Sequence, residues 1–292
     1  MKFRRAELLL FATVAASAGQ LAACSDDPSN GGDAGGSGGS GAAGVGGTGA
    51  STFNQCGVAA PLPADTGQCT VVSVPLLADF DDYSGTVASD YTFYVNGPPP
   101  AEGALLGGFL HVDDGSAATE DTSVVSTEMV AGEGDAGYAL WIANTNAVTW
   151  GGLLMVYFPF GGATATCLNA AGYEGLEFSI KGSSPSGRFG VSIGMLDTTP
   201  TADHGLCTNP NTSDCKPASL ELTLPPDAET WKAVRVPWSA LTPGVGSDTS
   251  CVPVTGQNVL RLVIQPFMSY PPPDYVFEPG SYAIAVDNLR FY

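Results

Sequence analysis

Apolar and polar residues alternate in short runs along most of the chain after residue 70, and no stretch keeps a 3.6-residue apolar period. Gly, Pro, Asn and Asp separate these runs, as they do between strands. The runs are TVVSVPLLADF, YTFYV, GGFLHV, SVVSTEMV, YALWIA, GGLLMVYFPF, GLEFSIKG, RFGVSIGML, SLELTL, WKAVRVPW, NVLRLVIQP and YAIAVDNLRFY. About a dozen strands without intervening helices predict one all-β domain over residues 53–292, an antiparallel β-sandwich or jelly roll.

The same alternation assigns each strand an inward and an outward face, because successive side chains on a strand point in opposite directions. The predicted inward sets are Leu176, Phe178 and Ile180; Phe189, Val191, Ile193 and Met195; Val234, Val236 and Trp238; and Leu260, Leu262 and Ile264.

The outward positions carry charged and aromatic residues, which form a ligand-binding groove if their strands share one sheet. Aromatic rings stack on sugar rings, and Arg, Gln and Glu side chains satisfy sugar hydroxyl groups. The candidate ligand-binding residues are Trp231, Arg235, Arg188, Arg261, Gln265, Glu177 and Trp141. The alternative is a solvated face with cross-strand ion pairs.

The N-terminus has the features of an export signal rather than of the fold. A basic MKFRR precedes a short apolar stretch, and LAAC follows, with small residues before Cys24. Residues 1–23 are therefore predicted to be a lipoprotein signal peptide and Cys24 the lipidated N-terminus; the alternative is an ordinary secretory signal. Similarity to Gram-negative lipoproteins implies that Ser25 after the lipidated cysteine directs the chain to the outer membrane, facing the periplasm or the cell surface.

Residues 24–52 are predicted to be a disordered Gly/Ser-rich tether after the lipidated cysteine. The segment has almost no large apolar side chains that could offset the entropy of ordering. As a Gly-rich random coil it would span roughly 30 Å. The tether would hold the domain away from the lipid surface, so we expect membrane contact only through the anchor.

The formal net charge of −19 at pH 7 excludes two classes of partner. A chain this acidic does not bind nucleic acid by neutralising phosphates, and it is repelled by a bare anionic membrane. Neutral or cationic ligands and divalent metal ions remain compatible with it, although solubility alone accounts for much acidic excess.

Six cysteines remain besides Cys24, and an even number in an exported domain predicts disulfides. Fifteen pairings are possible. Short spacing favours Cys56–Cys69 and Cys207–Cys215, which leaves Cys167–Cys251. Zinc ligation is disfavoured because the chain has no C-x-x-C and only two histidines.

The last predicted strand raises a question of charge. Strict alternation puts Asp287 on the same face as Ala283, Ala285, Leu289 and Phe291. A lone carboxylate among these neighbours would be costly to bury, so something must compensate it.

Four stretches, ADFDDYSG, AGYEGLEFSIKG, WKAVRVPWSAL and IAVDNLRFY, occur in this order and resemble the galactose-binding-like jelly roll of non-catalytic carbohydrate-binding modules. The resemblance implies that the first and last strands pair and that nearby acidic residues hold a structural calcium ion. Its pattern matches Asp81 and Asp287; Asp79 and Asp82 are neighbouring candidates, since calcium takes six to eight oxygen ligands. The alternative is a hydrogen-bonded Asp287 beside a solvated acidic turn.

The sequence offers little for catalysis. Its two G-x-S-x-G matches, GGSGG at residues 35–39 and GVSIG at residues 190–194, lie in the predicted tether and inside a predicted strand, so neither is a nucleophile elbow, and there is no H-E-x-x-H motif. We therefore expect a monomeric, non-catalytic glycan-binding lipoprotein. An adhesin-like or envelope-assembly module that binds protein is the second hypothesis. A polysaccharide hydrolase or lyase is the third, and it would need paired carboxylates in a cleft.

Overall fold

The computed structural model of the chain describes residues 69–81, 83, 92–95, 105–112, 125–135, 137–147, 153–158, 167–208, 215–247, 251–266 and 280–292. The predicted signal peptide, Cys24, the tether, Cys56 and Asp82 lie outside these residues. In the ranges that the structure describes, no helix is long and apolar enough to cross a membrane.

Sixteen strands and a few short 3-10 turns make up the described residues. The strands are β1 (Thr70–Val71), β2 (Leu76–Ala78), β3 (Thr92–Val95), β4 (Leu105–Val112), β5 (Val125–Ala131), β6 (Tyr138–Ala147), β7 (Leu153–Tyr157), β8 (Leu168–Asn169), β9 (Gly175–Ser183), β10 (Arg188–Met195), β11 (Ala218–Thr223), β12 (Lys232–Pro237), β13 (Gly244–Val245), β14 (Cys251–Val252), β15 (Val259–Pro266) and β16 (Gly280–Phe291).

The strands form two large sheets and confirm the predicted β-sandwich. The eight-stranded sheet runs β11-β10-β15-β7-β4-β3, with β8 also beside β15 and β1 beside β8. The six-stranded sheet runs β12-β9-β16-β6-β5, with β2 also beside β16. The pairings are antiparallel except β1 with β8, and β13 and β14 form a separate hairpin. The first predicted run, TVVSVPLLADF, contains β1 and β2, and its expected contact with the last strand is present, because Ala78 of β2 pairs with Leu289 of β16.

One core lies between the two sheets and confirms the predicted inward faces. Phe178 of the six-stranded sheet meets Phe189 of the eight-stranded sheet, with ring centroids 6.3 Å apart. Leu176, Ile180, Val191, Val236 and Ile264 are each at most 3% exposed in the same cluster. Removing such side chains from water is the main favourable contribution to folding.

Strand β16 differs from the predicted alternation at one residue. Asn288 has φ 52°, a left-handed conformation that Asn tolerates better than most residues, and the pairing with β9 shifts between Asp287 and Arg290. Leu289 and Phe291 therefore enter the core, whereas Asp287 faces outward with Ala285. The prediction that Asp287 shares a face with Leu289 and Phe291 was wrong, because the bulge reverses the alternation.

The disulfides agree only in part with the spacing argument. Cys207 and Cys215 are bonded, as their short spacing favours. Cys69 is bonded to Cys167 rather than to Cys56, so the Cys56–Cys69 and Cys167–Cys251 pairings were wrong. The reason is topological: Thr70 and Leu168 are partners in the parallel β1–β8 pair, which places the preceding cysteines 4.6 Å apart at Cα. Cys251 is disulfide-bonded as well.

Candidate functional site

The seven candidate ligand-binding residues lie on two different sheets. Arg188, Arg261 and Gln265 belong to β10 and β15 of the eight-stranded sheet. The other four, Trp141, Glu177, Trp231 and Arg235, belong to or flank strands of the six-stranded sheet. The condition for one shared groove is therefore not met, because the core separates the outward faces of the two sheets.

The outward face of the eight-stranded sheet carries a polar cluster around Arg261. Leu262 and Ile264 point into the core, so Arg261 on the same strand points outward. Its cross-strand partners are Tyr157 of β7 on one side and Gly194 of β10 on the other. Only 17% of the Arg261 side chain is exposed.

Gly194 makes the space that the Arg261 side chain occupies. A Cβ at residue 194 would lie 2.6 Å from Arg261 Cγ and 2.8 Å from its Nε, closer than non-bonded atoms tolerate. The same position is 3.0 Å from Thr199 Oγ1, so the guanidinium and this hydroxyl are neighbours. A side chain at residue 194 would displace the guanidinium.

A short 3-10 turn, Thr201–Asp203, brings an acidic group and a histidine to Arg261. Asp203 Oδ2 lies 3.7 Å from Arg261 Nη1, and Asp203 is itself largely buried. The His204 ring centroid is 6.2 Å from that of Tyr157. Burial, with the Asp203 charge adding to it, raises the pKa of Tyr157 to about 12, so its hydroxyl stays protonated.

The polar groups of this cluster are poorly satisfied within the protein. The Arg261 guanidinium forms no hydrogen bond with any described residue, although it carries five N–H donors. Burial lowers the pKa of Arg261, which means that the folded state disfavours its charge. Among described side chains, Thr199 Oγ1 is the one fully buried oxygen or nitrogen without a hydrogen-bond partner. Buried polar groups normally have partners, so this cluster is suited to a polar ligand.

We call Arg261, Tyr157, Asp203, His204 and Thr199 the Arg261 cluster. Sequence reasoning identified only Arg261. Tyr157 lies within the apolar run GGLLMVYFPF, which shows no alternation, and Thr199, Asp203 and His204 lie in the segment before the Cys207–Cys215 loop. One sequence signal was available for the other residues. The polar segment TPTADH follows a predicted strand, and the nearby Cys207–Cys215 disulfide would hold it close to the end of that strand.

The two other candidates on this face have protein partners. Arg188 forms an ion pair with Glu221 of β11, and Gln265 also has an interaction partner. Both fit the alternative of a face with cross-strand pairing better than they fit a free binding group.

Four residues lie in one row across neighbouring segments on the outward face of the six-stranded sheet: Trp231, Lys181, Ala285 and Trp141. We call this row the tryptophan row. Ala285 pairs with Lys181 on one side and Trp141 on the other. Trp231 precedes β12, and the Lys181 ammonium lies 4.9 Å from its ring centroid. A pocket of about 310 Å³ opens over this row, with Gly182, Ser183 and Glu229 also in its lining.

The remaining two candidates on this sheet, Glu177 and Arg235, form a charge cluster with Arg290. Glu177 is 8% exposed, and Arg290 Nε donates to its Oε1 at 2.9 Å. Arg235 Nε donates to Oε2. Hydrogen bonds, first from Arg290 and then from Arg235, lower the pKa of Glu177.

Replacing Glu177 with Gln should lower the melting temperature at neutral pH by roughly 2–4 °C, since ion pairs with half-exposed arginines are weak. A carboxyl whose pKa is lowered on folding stabilises the fold above its ordinary value of 4.5 and loses this effect as the pH falls through the folded value. The difference from wild type should therefore begin to shrink as the pH falls below 4.5 and vanish below the folded pKa. Glu221→Gln, which removes one arginine contact instead of two, is the control; an equal difference at all pH values would contradict the ion-pair account.

Asp287 lies in an acidic cluster where β2 meets β16. It is 3% exposed and accepts hydrogen bonds from the backbone N–H groups of Glu133 at 2.8 Å and Asn288 at 2.7 Å. Burial raises the pKa of Asp287, the two hydrogen bonds oppose this, and the charges of Asp81 and Glu133 add to it. The backbone therefore offsets only part of the cost of this carboxylate.

The backbone around this cluster is unusual on both sides. Phe80, next to Asp81, is fully buried with φ 61°, and Asn288 follows Asp287 with φ 52°. Asp81 accepts from the Tyr138 N–H at 2.9 Å, and Asp79 accepts from the Asp81 N–H at 3.3 Å. Within the described ranges, no three His, Cys, Asp or Glu side chains alone could hold a metal ion.

No protein-family model and no curated protein matches the chain. Among solved structures, it is similar to the family 11 carbohydrate-binding module from Clostridium thermocellum in complex with a β-1,3-1,4-mixed-linked tetrasaccharide, with 16% identity, 74% of this chain and 94% of that chain covered, and a TM-score of 0.40. It is also similar to a family 30 carbohydrate-binding module of a Clostridium thermocellum cellulosomal cellulase, with 13% identity, 58% of this chain and 91% of that chain covered, and a TM-score of 0.31. A third similar structure is a β-1,2-glucanase from Parabacteroides distasonis, with 9% identity, 63% of this chain and 22% of that chain covered, and a TM-score of 0.33. At such identities and scores, none of the three assigns a ligand to this chain.

Proposed function

We propose that the protein binds a neutral glycan at the Arg261 cluster without cleaving it. The observation that carries this proposal is the buried Arg261 guanidinium, which forms no hydrogen bond with the described residues and lies beside the unpartnered Thr199 hydroxyl. Sugar hydroxyl groups both donate and accept, so one sugar could accept from Arg261 and donate to Asp203.

The charges and the aromatic ring of the cluster favour a neutral sugar over an ion. Arg261 and Asp203 carry opposite charges 3.7 Å apart, which cancels most of the local field. The overall charge of −19 opposes polyanions. The Tyr157 ring beside them offers an apolar face for a sugar ring, and its hydroxyl stays a donor at neutral pH.

Affinity electrophoresis of the full chain tests this proposal. Gels contain mixed-linkage β-glucan, xyloglucan, galactomannan or, as the polyanion, polygalacturonate. We expect at least one neutral polysaccharide to retard the chain and polygalacturonate to leave it unretarded. Failure of all neutral polysaccharides, or release of reducing ends from the one that binds, would contradict non-catalytic glycan binding.

We also propose that a calcium ion stabilises the acidic cluster between β2 and β16. Asp81 and Asp287 would hold it, with backbone carbonyls and waters completing the shell, as calcium accepts. The fit rests on Asp287, a buried carboxylate whose pKa is raised by burial and by two acidic neighbours, because a divalent cation would offset that charge. Asp79 and Asp82 remain neighbouring candidates. The ion would join the first and last strands and take no part in binding sugar.

Removal of calcium should lower the melting temperature of the full chain by roughly 5–10 °C, as expected when the ion is present at about 100 times its dissociation constant. EDTA followed by excess calcium should lower and then restore it, and Asp287→Ala should abolish the response. Glu174→Gln removes a charge elsewhere and should respond like wild type. If EDTA changes nothing, the two backbone hydrogen bonds are the only compensation of Asp287.

Finally, we propose that the domain is held at the outer membrane through lipidated Cys24 and the tether up to residue 52. The proposal is supported by LAAC at residues 21–24 and by the Gly/Ser-rich composition that follows. Cys24→Ser should move the protein from the membrane fraction to the soluble fraction of cells. Retention of this variant in the membrane fraction would contradict the lipid anchor.

A further inference from the structure

We propose that the tryptophan row forms a second carbohydrate-binding surface, which takes a neutral glycan chain across the strands of the six-stranded sheet. This surface shares the class of ligand with the proposed function but no residue with the Arg261 cluster. It lies on the opposite side of the core, so a bound chain at one face leaves the other face open.

The floor of this surface is made of alanines that face outward yet are covered. Ala285 is 1% exposed and Ala283 is partly buried, and both line the pocket, whereas their strand neighbours Ile284 and Val286 fill the core. Small outward side chains become this inaccessible only when larger side chains rise around them. The pocket of about 310 Å³ lies here, at the lower end of the usual size for ligand pockets, about 300–1,000 Å³.

Two tryptophans stand at the sides of this floor. Trp231 and Trp141 are three strand positions apart, a separation of about 14 Å at the usual strand spacing. A ligand that reaches both must therefore be a chain rather than a single small molecule. Extended glycan chains present successive ring faces to such aromatic side chains.

Trp141 is partly buried and lines the pocket. Ala139 and Ala143 flank it along β6, and its cross-strand partners are Ala285 of β16 and Glu128 of β5. Within the described part of the chain, its ring contacts no aromatic ring and no cation, and its indole N–H has no hydrogen-bond partner. Trp238 shows the contrast, because its Nε1 donates to the Tyr173 carbonyl at 2.9 Å and its ring packs against Phe291. A partly buried tryptophan usually has such partners. Because Trp141 has none among the described residues, its ring and its indole N–H are open to contact with a ligand.

The charges around the pocket select a neutral chain. Lys181 and Glu229 line it with opposite signs, and Ser183 adds a hydroxyl group. Lys181 lies over the Trp231 ring, which it can leave to donate hydrogen bonds to a sugar. A polyanion would meet the net negative charge of the whole chain.

Two faces on opposite sheets make the domain bivalent, so a single protein could join two polysaccharide chains. The decisive quantity is the number of binding sites. Titration calorimetry of the full chain uses a hexasaccharide of mixed-linkage β-glucan, and likewise of xyloglucan and galactomannan. The variants are Trp141→Ala/Trp231→Ala, Arg261→Met and their combination, with Trp238→Phe as the control for loss of a tryptophan.

We expect two sites for wild type and Trp238→Phe, one for either the tryptophan pair or Arg261→Met, and none for the combination. Circular dichroism checks that each variant is folded. One site in wild type that survives in the tryptophan variant and disappears in Arg261→Met overturns the second surface and leaves the proposed function intact. The reverse pattern supports the tryptophan row and overturns the Arg261 cluster. No binding by wild type to any of the three overturns both.

Discussion

Replacing Arg261 with methionine should weaken glycan binding by between about 30-fold and about 1,000-fold while changing the stability of the fold little. The loss corresponds to about 2–4 kcal/mol, the contribution of one or two hydrogen bonds from a charged donor to the ligand. Methionine keeps the methylene groups that pass Gly194, so the change removes the guanidinium and little of the packing.

The direction of the stability change separates a binding arginine from a structural one. Burial lowers the pKa of Arg261, so folding disfavours its charged form, yet this group stays protonated at every working pH. The cost is therefore present throughout and disappears in Arg261→Met, but this variant also leaves the largely buried Asp203 carboxylate without its partner, so the two effects oppose each other. A binding residue held at a cost to stability is expected where function requires it.

Two variants serve as controls for this prediction. Arg235→Met removes an arginine from the opposite sheet and should leave this site unchanged. Gly194→Ala keeps the charge but forces the Arg261 side chain away from its position, and should weaken binding without removing a donor. Unchanged affinity together with a lower melting temperature in Arg261→Met would show that the arginine is structural.

The strands and their inward faces were predictable because their pattern is local. A period of two residues places Leu176, Phe178 and Ile180 in the core whatever the order of the strands. The reversal at Asn288 was not predictable in this way, because one left-handed residue changes the alternation after it. Asp287 consequently faces outward with Ala285 rather than inward with Leu289.

The site was less predictable than the core because it depends on which strands are neighbours. Arg261 and Trp231 were both correctly assigned to outward faces. No local sequence pattern, however, shows that β15 and β12 belong to different sheets. Asp203 reaches Arg261 from a turn that no periodic pattern describes. The same limit explains the disulfide error, since the parallel pairing of β1 with β8 joins cysteines 98 residues apart.

Removing the Cys69–Cys167 disulfide should destabilise the protein by about 5 kcal/mol, and removing Cys207–Cys215 by about 3 kcal/mol. The Cys69–Cys167 bond joins residues 98 positions apart, whereas the Cys207–Cys215 bond joins residues 8 positions apart. The first bond therefore restricts the unfolded chain more. Urea unfolding of the two double alanine variants measures the difference. Equal losses would show that native contacts, rather than chain entropy, dominate both bonds.

Glycan binding should respond to these two bonds in the opposite order. Cys207 donates its backbone N–H to the Thr199 carbonyl at 3.0 Å and accepts from the Thr201 N–H at 3.3 Å, so its disulfide anchors the segment that carries Thr199 and Asp203. Cys207→Ala/Cys215→Ala should therefore weaken binding more than Cys69→Ala/Cys167→Ala, although it costs less stability. The affinities are measured under conditions in which both variants are folded. A larger loss of affinity on removing Cys69–Cys167 would mean that binding follows global stability, and this would contradict a binding role of the Arg261 cluster.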